Sequence, residues 1–321
     1  MNVLVVPTIR EQCIRKFIDQ WEPHRHWDEV IVVEDNPQKT FDLNNGSITH
    51  LCWDDIEKDL GDMAWIISRR DSAIKCYGFY VAWKLGAKHV FALDDDCYPY
   101  LSKSGKEFIR DHKNALYQWS RWTESVPGWR TRGIPYKNKG TMTNVVLNHG
   151  FWNINPDLDA CQTLAGPEWK GFAGPICKHR LIPQGQYFPM CGMNICFQGS
   201  IVPLMYFPLM GKDYPYHRFD DIWCGIIMKK ICDHLGYCVS CGQPFINHQK
   251  VSDPFVNLVK EAPGIAASEW FWETIDEVQL TEITPAGCMK ELGAALPQED
   301  PYLKKLGEAI QLWSSLFQSN E

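Results

Sequence analysis

The stretch Lys88-His-Val-Phe-Ala-Leu-Asp-Asp-Asp96 decides the fold, because a short apolar run leads directly into three consecutive aspartates. A buried strand that ends in carboxylates places them at the carboxyl edge of the sheet, where open α/β sheets bind ligands. Three like charges at such close spacing repel strongly unless a cation lies among them. Their hard oxygen atoms suit Mg²⁺ or Mn²⁺, which keep coordination positions open for nucleotide phosphates. Taken alone, the three aspartates could also form a solvated acidic turn.

The segments that precede this strand alternate between strand and helix patterns. Residues 2–9 and 29–33 are apolar enough for buried strands, and residues 10–21 and 70–86 carry apolar side chains at helical spacing. This order predicts a parallel sheet whose strands are joined by right-handed crossover helices. Asp35 follows the second strand, at the position where such a sheet hydrogen-bonds a base or a ribose.

The later part of the chain has a different character. Residues 126–215 are rich in glycine, proline and aromatic side chains, which favours short strands and loops over helices. A helix is predicted from Ile222 to Leu235. We expect a catalytic domain over residues 1–260 and a helical extension over residues 261–321. An amphipathic helix ends the chain, either packed on the main body or used as an oligomer contact, with apolar side chains at Leu303, Leu306, Ile310, Trp313 and Phe317.

Composition narrows the class of protein. The chain has 321 residues, of which 45% are hydrophobic, and its net charge of −7 argues against general nucleic-acid binding. No apolar run approaches the roughly 20 residues that a membrane span needs. The 13 cysteines have irregular spacing, and the sequence opens with a strand pattern in place of a secretory signal. We therefore expect reduced thiols and a cytoplasmic protein.

Basic side chains lie close to the start of the helix predicted over residues 70–86. Arg69, Arg70 and Lys75 occur there, and a helix N-terminus with basic neighbours favours anions such as phosphates. The alternative is a solvated helix face. A phosphate-binding role is therefore one of two interpretations of these three residues.

Two later motifs contain further candidate groups. Asp220 and Asp221 open the helix that continues to Leu235, and the preference for carboxylates in a first turn accounts for one of them. The other is free to bind hydroxyl groups or to act as a base. His248 follows a short apolar strand and is a candidate metal ligand through a neutral imidazole nitrogen, although an ordinary hydrogen-bonded histidine is the commoner case.

Several motifs together resemble one known family, the reversibly glycosylated polypeptides, which is the family of plant UDP-arabinopyranose mutases. The similarity extends from the first strand to the tail of the chain. It is carried by Asp94-Asp-Asp-Cys-Tyr-Pro99, Asn148-His-Gly-Phe-Trp-Asn153, Phe188-Pro-Met-Cys-Gly-Met-Asn194, Arg218-Phe-Asp-Asp-Ile-Trp223, Ile231-Cys-Asp-His-Leu-Gly236, Asn247-His248, Asp253-Pro-Phe-Val-Asn-Leu258 and Asp300-Pro-Tyr-Leu-Lys-Lys-Leu306.

The resemblance implies a glycosyltransferase-A-like nucleotide-sugar-binding fold with a mostly parallel central sheet and a C-terminal helical extension. It also implies a metal-dependent enzyme, using Mn²⁺ or Mg²⁺, that interconverts the pyranose and furanose forms of UDP-L-arabinose. The nucleotide-sugar-binding residues that we expect are Pro7, Thr8, Asp35, Arg70, Asp94, Asp95 and Asn194. The expected metal ligands are Asp94, Asp96 and His248, and the expected catalytic residues are Asp220, Asp221 and His149.

One loop departs from the family pattern. The family has a self-glycosylated arginine shortly before its His-Gly-Phe/Leu-Trp motif, whereas this chain has Lys139 at that place, with Arg132 at the start of the same loop. Lysine carries a localised, titratable charge and does not replace arginine chemically. Two alternatives to a mutase follow. One is a noncatalytic UDP-sugar-binding partner of a mutase, in a homo- or hetero-oligomer. The other is a glycosyltransferase whose separate acceptor contacts tryptophans such as Trp119, Trp122, Trp129, Trp152 and Trp169.

Overall fold

The structure is a computed structural model of the chain. It describes residues 1–43, 46–100, 104–117, 132–134, 143–153, 155–166, 179–249 and 252–317.

The first part of the chain forms the parallel half of one sheet. Its elements are β1 (Asn2–Thr8), α1 (Glu11–Trp21), β2 (Glu29–Glu34), β3 (Ile48–Leu51), α2 (Trp53–Leu60), α3 (Lys75–Lys84) and β4 (His89–Leu93). The four strands lie in the order β3-β2-β1-β4 and all pairs are parallel. This arrangement confirms the predicted parallel sheet with helical crossovers.

Close packing of α3 on this sheet depends on Gly78. A Cβ atom at that position would clash with Val5 on β1 and would lie 3.0 Å from Cγ2 of Val33 on β2. Glycine therefore lets the helix backbone approach the sheet directly. This contact positions the start of α3 beside the carboxyl ends of the strands.

The second part of the chain completes the sheet with both strand directions. Its elements are β5 (Cys97–Pro99), α4 (Gly105–Tyr117), β6 (Val145–Asn153), α5 (Ala160–Ala165), β7 (His179–Ile182), β8 (Asn194–Gln198), α6 (Asp220–His234), β9 (Cys238–His248), α7 (Pro254–Asp276), α8 (Pro285–Ala295) and α9 (Pro301–Ser315). The sheet order is β3-β2-β1-β4-β8-β6-β9-β5, with β7 also paired to β9. Strand β8 is antiparallel to both β4 and β6, whereas β6 and β9 are parallel.

Two helix boundaries differ slightly from the prediction. The helix expected over residues 70–86 begins at Lys75, because Asp71 first caps a short 3₁₀ turn and its carboxylate accepts a hydrogen bond from the amide of Ala73 at 3.4 Å. The helix expected to begin at Ile222 begins at Asp220. Both differences place acidic side chains at the start of a helical segment.

The C-terminal helices pack on the same core as the sheet. Phe271 of α7 stacks on Trp223 of α6 with ring centroids 4.0 Å apart. Trp313 of α9 is fully buried, and its indole nitrogen donates to the carbonyl of Pro203 at 2.9 Å. The predicted amphipathic helix is therefore present and packed. The expected boundary at residue 260 falls within α7, and the division into two domains stays a prediction.

No helix in the described segments is both long enough and apolar enough to cross a bilayer.

Candidate functional site

A cleft of about 490 Å³ lies beside the carboxyl ends of β4 and β6. Its walls come from the turn before α3, the residue after β4, the loop before β8 and the start of α6. Acidic side chains outnumber basic ones in this lining. The acidic residues are Asp71, Asp94, Asp157, Asp159, Asp220, Asp221 and Glu261, and the basic residues are Arg70, Lys75, Arg218 and Lys260.

Asp94 is the aspartate of the triad that faces the cleft. Its Oδ1 lies 2.5 Å from Nζ of Lys75, a side chain that is only 1% exposed. The same ammonium group donates to the carbonyl of Gly192 at 3.0 Å. Burial alone would lower the pKa of Lys75, but the charges of Asp94 and Asp221 outweigh burial and leave the pKa raised. Lys75 is therefore a permanent positive charge at the floor of the cleft.

Asp95 and Asp96 are held by a second cation, Arg10. Asp95 is buried, accepts a hydrogen bond from Oγ1 of Thr8 at 2.6 Å and forms an ion pair with the Arg10 guanidinium. Nη2 of Arg10 also lies 3.3 Å from Oδ2 of Asp96. Burial raises the pKa of both carboxyl groups, and the charge of Asp94 raises that of Asp96 further. Each of the three aspartates therefore lies close to a positively charged side chain of the protein itself.

His248 approaches the triad from β9. Its Nδ1 lies 3.1 Å from the carbonyl oxygen of Asn155, and because a carbonyl only accepts, Nδ1 carries the proton. In that tautomer the lone pair is on Nε2, which lies 3.9 Å from Oδ1 of Asp96. A metal-binding histidine commonly has this backbone partner. Among the described side chains, however, no three metal-ligating groups are already arranged around one point.

Asp220 and Asp221 lie at the start of α6 but have different partners. Asp220 is buried and accepts a hydrogen bond from the hydroxyl of Ser72, whereas Asp221 accepts one from the amide of Gly192 at 2.8 Å. Burial is the main cause that raises the pKa of each, and the charge of Asp71 adds to the rise at Asp220. Both acids line the cleft.

The ends of β1 and β2 form the other side of the site. The amide of Asp35 donates to the carbonyl of Thr8 at 2.8 Å, so these two expected nucleotide-binding residues are adjacent. The Asp35 carboxylate accepts from the indole nitrogen of Trp53 at 2.7 Å and from the amide of Asp71 at 3.0 Å. Arg70 lines the cleft and its guanidinium lies 5.2 Å from the centre of the Trp53 ring. Pro7, in β1, precedes Thr8 directly.

His149 lies beneath the cleft on β6. Its ring packs against Trp152 at 5.2 Å and Phe188 at 5.6 Å, and Trp152 lines the cleft. Neither ring nitrogen has a hydrogen-bond partner within the described residues. Burial lowers the pKa of His149 to about 4, so the ring is neutral at pH 7.

Asn194 does not reach the cleft. Its amide nitrogen donates to the carbonyls of Phe151 and Pro244, each at 3.0 Å, and its amide oxygen lies 3.1 Å from Nε2 of His112. The side chain is completely buried and both of its polar atoms are used in the interior. Its assignment to nucleotide binding therefore stays a prediction that this geometry does not favour.

The self-glycosylation position and most of the expected acceptor tryptophans lie outside the described residues. These are Lys139, Trp119, Trp122, Trp129 and Trp169. Of the expected tryptophans, Trp152 is placed by the structure in the lining of the cleft.

Sequence reasoning missed three residues of the site: Arg10, Trp53 and Asp71. Arg10 is the second residue after the end of β1, and Trp53 is the second residue after the end of β3. That position is the available signal, because polar and aromatic groups just beyond a strand end face the ligand edge of an α/β sheet. Asp71 is next to Arg70 in the sequence, but no local sequence pattern predicts its interaction with Asp220 of α6.

Comparisons with known proteins agree with the motif resemblance. The chain matches the model of the family described as Reversibly glycosylated polypeptide over residues 2–321. It is 36% identical over 331 residues to UDP-arabinopyranose mutase 1 of Arabidopsis thaliana, covering 97% of this chain and 90% of that protein. It is also 36% identical over 343 residues to UDP-arabinopyranose mutase 1 of Oryza sativa subsp. japonica, covering 97% and 88%. The α/β fold class implied by the resemblance is confirmed, with helices following the sheet in the described C-terminal part of the chain.

A search of solved structures gave a further match. Glucosyl-3-phosphoglycerate synthase from Mycobacterium tuberculosis, in complex with Mn²⁺, UDP and glucosyl-3-phosphoglycerate, is 13% identical, with a TM-score of 0.41. The match covers 91% of this chain and 80% of that chain.

Proposed function

This chain belongs to the reversibly glycosylated polypeptide family, and we propose that it is a UDP-sugar mutase that interconverts the pyranose and furanose forms of a UDP-pentose. The observation that carries the proposal is the single cleft that brings together Asp94, Lys75 and the acid pair of α6. Binding a diphosphate needs fixed positive charge, and rearranging a sugar needs groups that exchange protons. Both kinds of group line the cleft.

The nucleotide is proposed to bind along the carboxyl ends of β1, β2 and β4. Thr8 and Asp35 are adjacent there, and Pro7 precedes Thr8 in β1. Arg70 and Lys75 supply positive charge to the diphosphate from the turn before α3 and from its first residue. Asp95 supports this edge by fixing the Thr8 hydroxyl.

A divalent metal fits the aspartate motif, with Asp94, Asp96 and His248 as its proposed ligands. The support is chemical: Nε2 of His248 lies 3.9 Å from Oδ1 of Asp96, and burial together with the nearby charge of Asp94 raises the pKa of Asp96. A mixed set of carboxylate and imidazole ligands favours Mn²⁺ over Mg²⁺. When bound, the metal would stabilise the negative charge of the departing diphosphate.

Asp220 and Asp221 are proposed to bind the sugar hydroxyls and to exchange protons with them. Gly192, whose amide donates to Asp221, fixes that carboxylate at the cleft wall. His149 is proposed to act from below by holding the Trp152 ring against the cleft as a neutral group. A hydrogen-bonded acid with a raised pKa can give and accept a proton near neutral pH.

The test is incubation of the purified protein with UDP-arabinofuranose and Mn²⁺, with no acceptor, followed by chromatography of the nucleotide sugars. We expect UDP-arabinopyranose to form. Asp213→Asn, a change at an exposed carboxylate outside the cleft, is the control and should convert substrate at the wild-type rate. An unchanged peak with intact UDP binding would refute the mutase and leave a transferase or a binding subunit.

Self-glycosylation is a separate proposal that depends on Lys139. If this position corresponds to the glycosylated arginine of the family, Lys139→Arg should make the protein incorporate radiolabel from a UDP-sugar. The wild-type chain serves as the matched control, since lysine lacks the delocalised guanidinium. Absence of label in the variant, with its fold intact by circular dichroism, would contradict the proposed correspondence.

A further inference from the structure

Two carboxyl groups of the cleft, those of Asp71 and Asp220, are in contact with each other. Asp71 caps the 3₁₀ turn before α3, and Asp220 is the first residue of α6, so the pair joins two distant segments. Both side chains line the cleft and interact with each other. The hydroxyl of Ser72 donates to Oδ2 of Asp220. Oδ1 of Asp220 is buried and receives no hydrogen bond from any donor group in the described part of the chain.

Two carboxylates in contact in a buried place cannot both be ionised at a low cost, because like charges repel strongly where water is excluded. One proton on the pair turns the repulsion into a hydrogen bond. Burial first of all raises the pKa of both acids, so the pair holds a proton. Oδ1 of Asp220, which is buried and receives no hydrogen bond, is the atom that can carry it. A proton there also removes the cost of a bare buried carboxylate.

The neighbouring groups named below do not offset the repulsion that two ionised carboxylates would have at Asp71 and Asp220. Lys75 lowers the pKa of Asp220, but this lysine already forms an ion pair with Asp94. The charges of Asp221 and Asp35 raise the pKa of Asp71. The hydroxyl of Tyr302, from α9, is buried nearby and has a raised pKa, so it is neutral. Burial is the largest cause of the raised pKa at both acids.

The ring change of a pentose requires one proton to be taken and one to be given. In the pyranose form the ring oxygen is O5, and in the furanose form it is O4. As O4 forms its bond to C1, the O4 proton must leave; as the bond between C1 and O5 breaks, O5 must gain a proton. The bond between C1 and the diphosphate breaks and re-forms in the same turnover, with the electron pair kept by the diphosphate. No net proton is released.

We propose that Asp71 and Asp220 share one proton and act together as the base and the acid of this ring change. This inference rests on the proposed mutase function. Asp220 is the catalytic residue, which faces the sugar in the cleft, and Asp71 is a positioning residue that acts through it. The pair gives its proton to O5 and takes one from O4, so it returns to its starting state after each turnover and needs no external acid or base.

The first measurement is infrared spectroscopy of the wild-type protein at pH 7, which detects a protonated carboxyl group directly. We expect a carboxylic acid band that is absent from Asp220→Asn and from Asp71→Asn but unchanged in Asp213→Asn. This measurement does not depend on turnover. A wild-type spectrum without such a band would overturn the shared proton.

The second measurement is mutase rate against pH, with UDP affinity measured by calorimetry. Asp71→Asn should lower kcat by about a hundredfold or more while UDP affinity stays unchanged. The alkaline limb of the profile should also move to lower pH, because the carboxylate that stabilises the proton on Asp220 is gone. Asp71→Glu should keep the position of the limb, which a merely structural role would not predict.

The outcomes separate the two proposals. Wild-type turnover that survives in Asp71→Asn with an unshifted pH profile would overturn the shared-proton role and leave the mutase intact. A carboxylic acid band without wild-type turnover would refute the mutase, and the catalytic role of the pair with it. Ser72→Ala removes the hydroxyl that donates to Asp220. It should preserve the band, because a lost donor that favours the ionised carboxylate leaves the proton in place.

Discussion

Removing the positive charge of Lys75 should destabilise the fold measurably. Lys75 is 1% exposed, forms an ion pair with Asp94 at 2.5 Å and donates to Gly192. Deleting one partner of a buried pair typically costs about 3–5 kcal/mol. The Asp94 side chain is 28% exposed, so water recovers part of this cost. For Lys75→Met we therefore expect the lower end, about 3 kcal/mol, or roughly a 150-fold change in the unfolding equilibrium.

The experiment is a double-mutant cycle in urea, with tryptophan fluorescence as the probe. Asp94→Asn leaves the Lys75 ammonium without its closest carboxylate and should also be destabilised. The double variant removes both charges and should lose less stability than the sum of the two single variants, with a coupling of at least about 1.5 kcal/mol. The comparison is valid if the slope of the unfolding free energy against urea concentration is the same in all four proteins. Costs that add to within about 0.5 kcal/mol would refute the view that this pair stabilises the cleft floor.

Three further predictions concern the metal, the acid stability and the tail. Asp96→Ala should abolish the gain in UDP affinity that Mn²⁺ gives, a loss of about 10- to 100-fold; equal affinities with Mn²⁺ and with chelator in the wild type would contradict the metal site. His149→Phe should flatten the loss of stability at acid pH. Since burial lowers its pKa to about 4, the unfolded chain binds a proton that the folded chain does not. Stability therefore falls by up to about 1.4 kcal/mol per pH unit between about pH 6.5 and about pH 4. Parallel pH curves for variant and wild type would exclude this. Trp313→Ala should cost about 3–5 kcal/mol in urea unfolding, and Trp313→Phe clearly less; equal costs would show that α9 packs loosely.

Local hydrophobic pattern accounts for what the sequence predicted correctly. Buried strands such as β1 and β4, the helix that starts at Asp220 and the amphipathic α9 all have periodic apolar side chains over several residues. The aspartates at the end of β4 could be placed at the ligand edge for the same reason. The insertion of β8 between β4 and β6 could not be predicted, because strand pairing over such distances in sequence leaves no local pattern.

The site was predicted only as far as strand ends and helix starts define it. Asp35, Asp94 and Asp220 occupy such positions, and each lies where the sequence suggested. The pairing of Ser72 and Asp71 with Asp220 joins residues about 148 positions apart, which only the fold reveals. Asn194 shows the opposite limit: a motif resemblance marked it, yet its side chain serves the interior.

The two basic side chains at the aspartate motif, Lys75 and Arg10, affect the order in which a metal ion and a nucleotide would bind. Lys75 is paired with Asp94, and Arg10 is shared by Asp95 and Asp96, so two positive charges already balance most of the charge of the three aspartates. A metal ion that arrives alone must displace these partners, whereas a nucleotide diphosphate offers the displaced cations new anions. Metal and nucleotide should therefore raise each other's affinity by the same factor. Such reciprocity would keep the resting protein from scavenging divalent metals and would load them only when substrate is present.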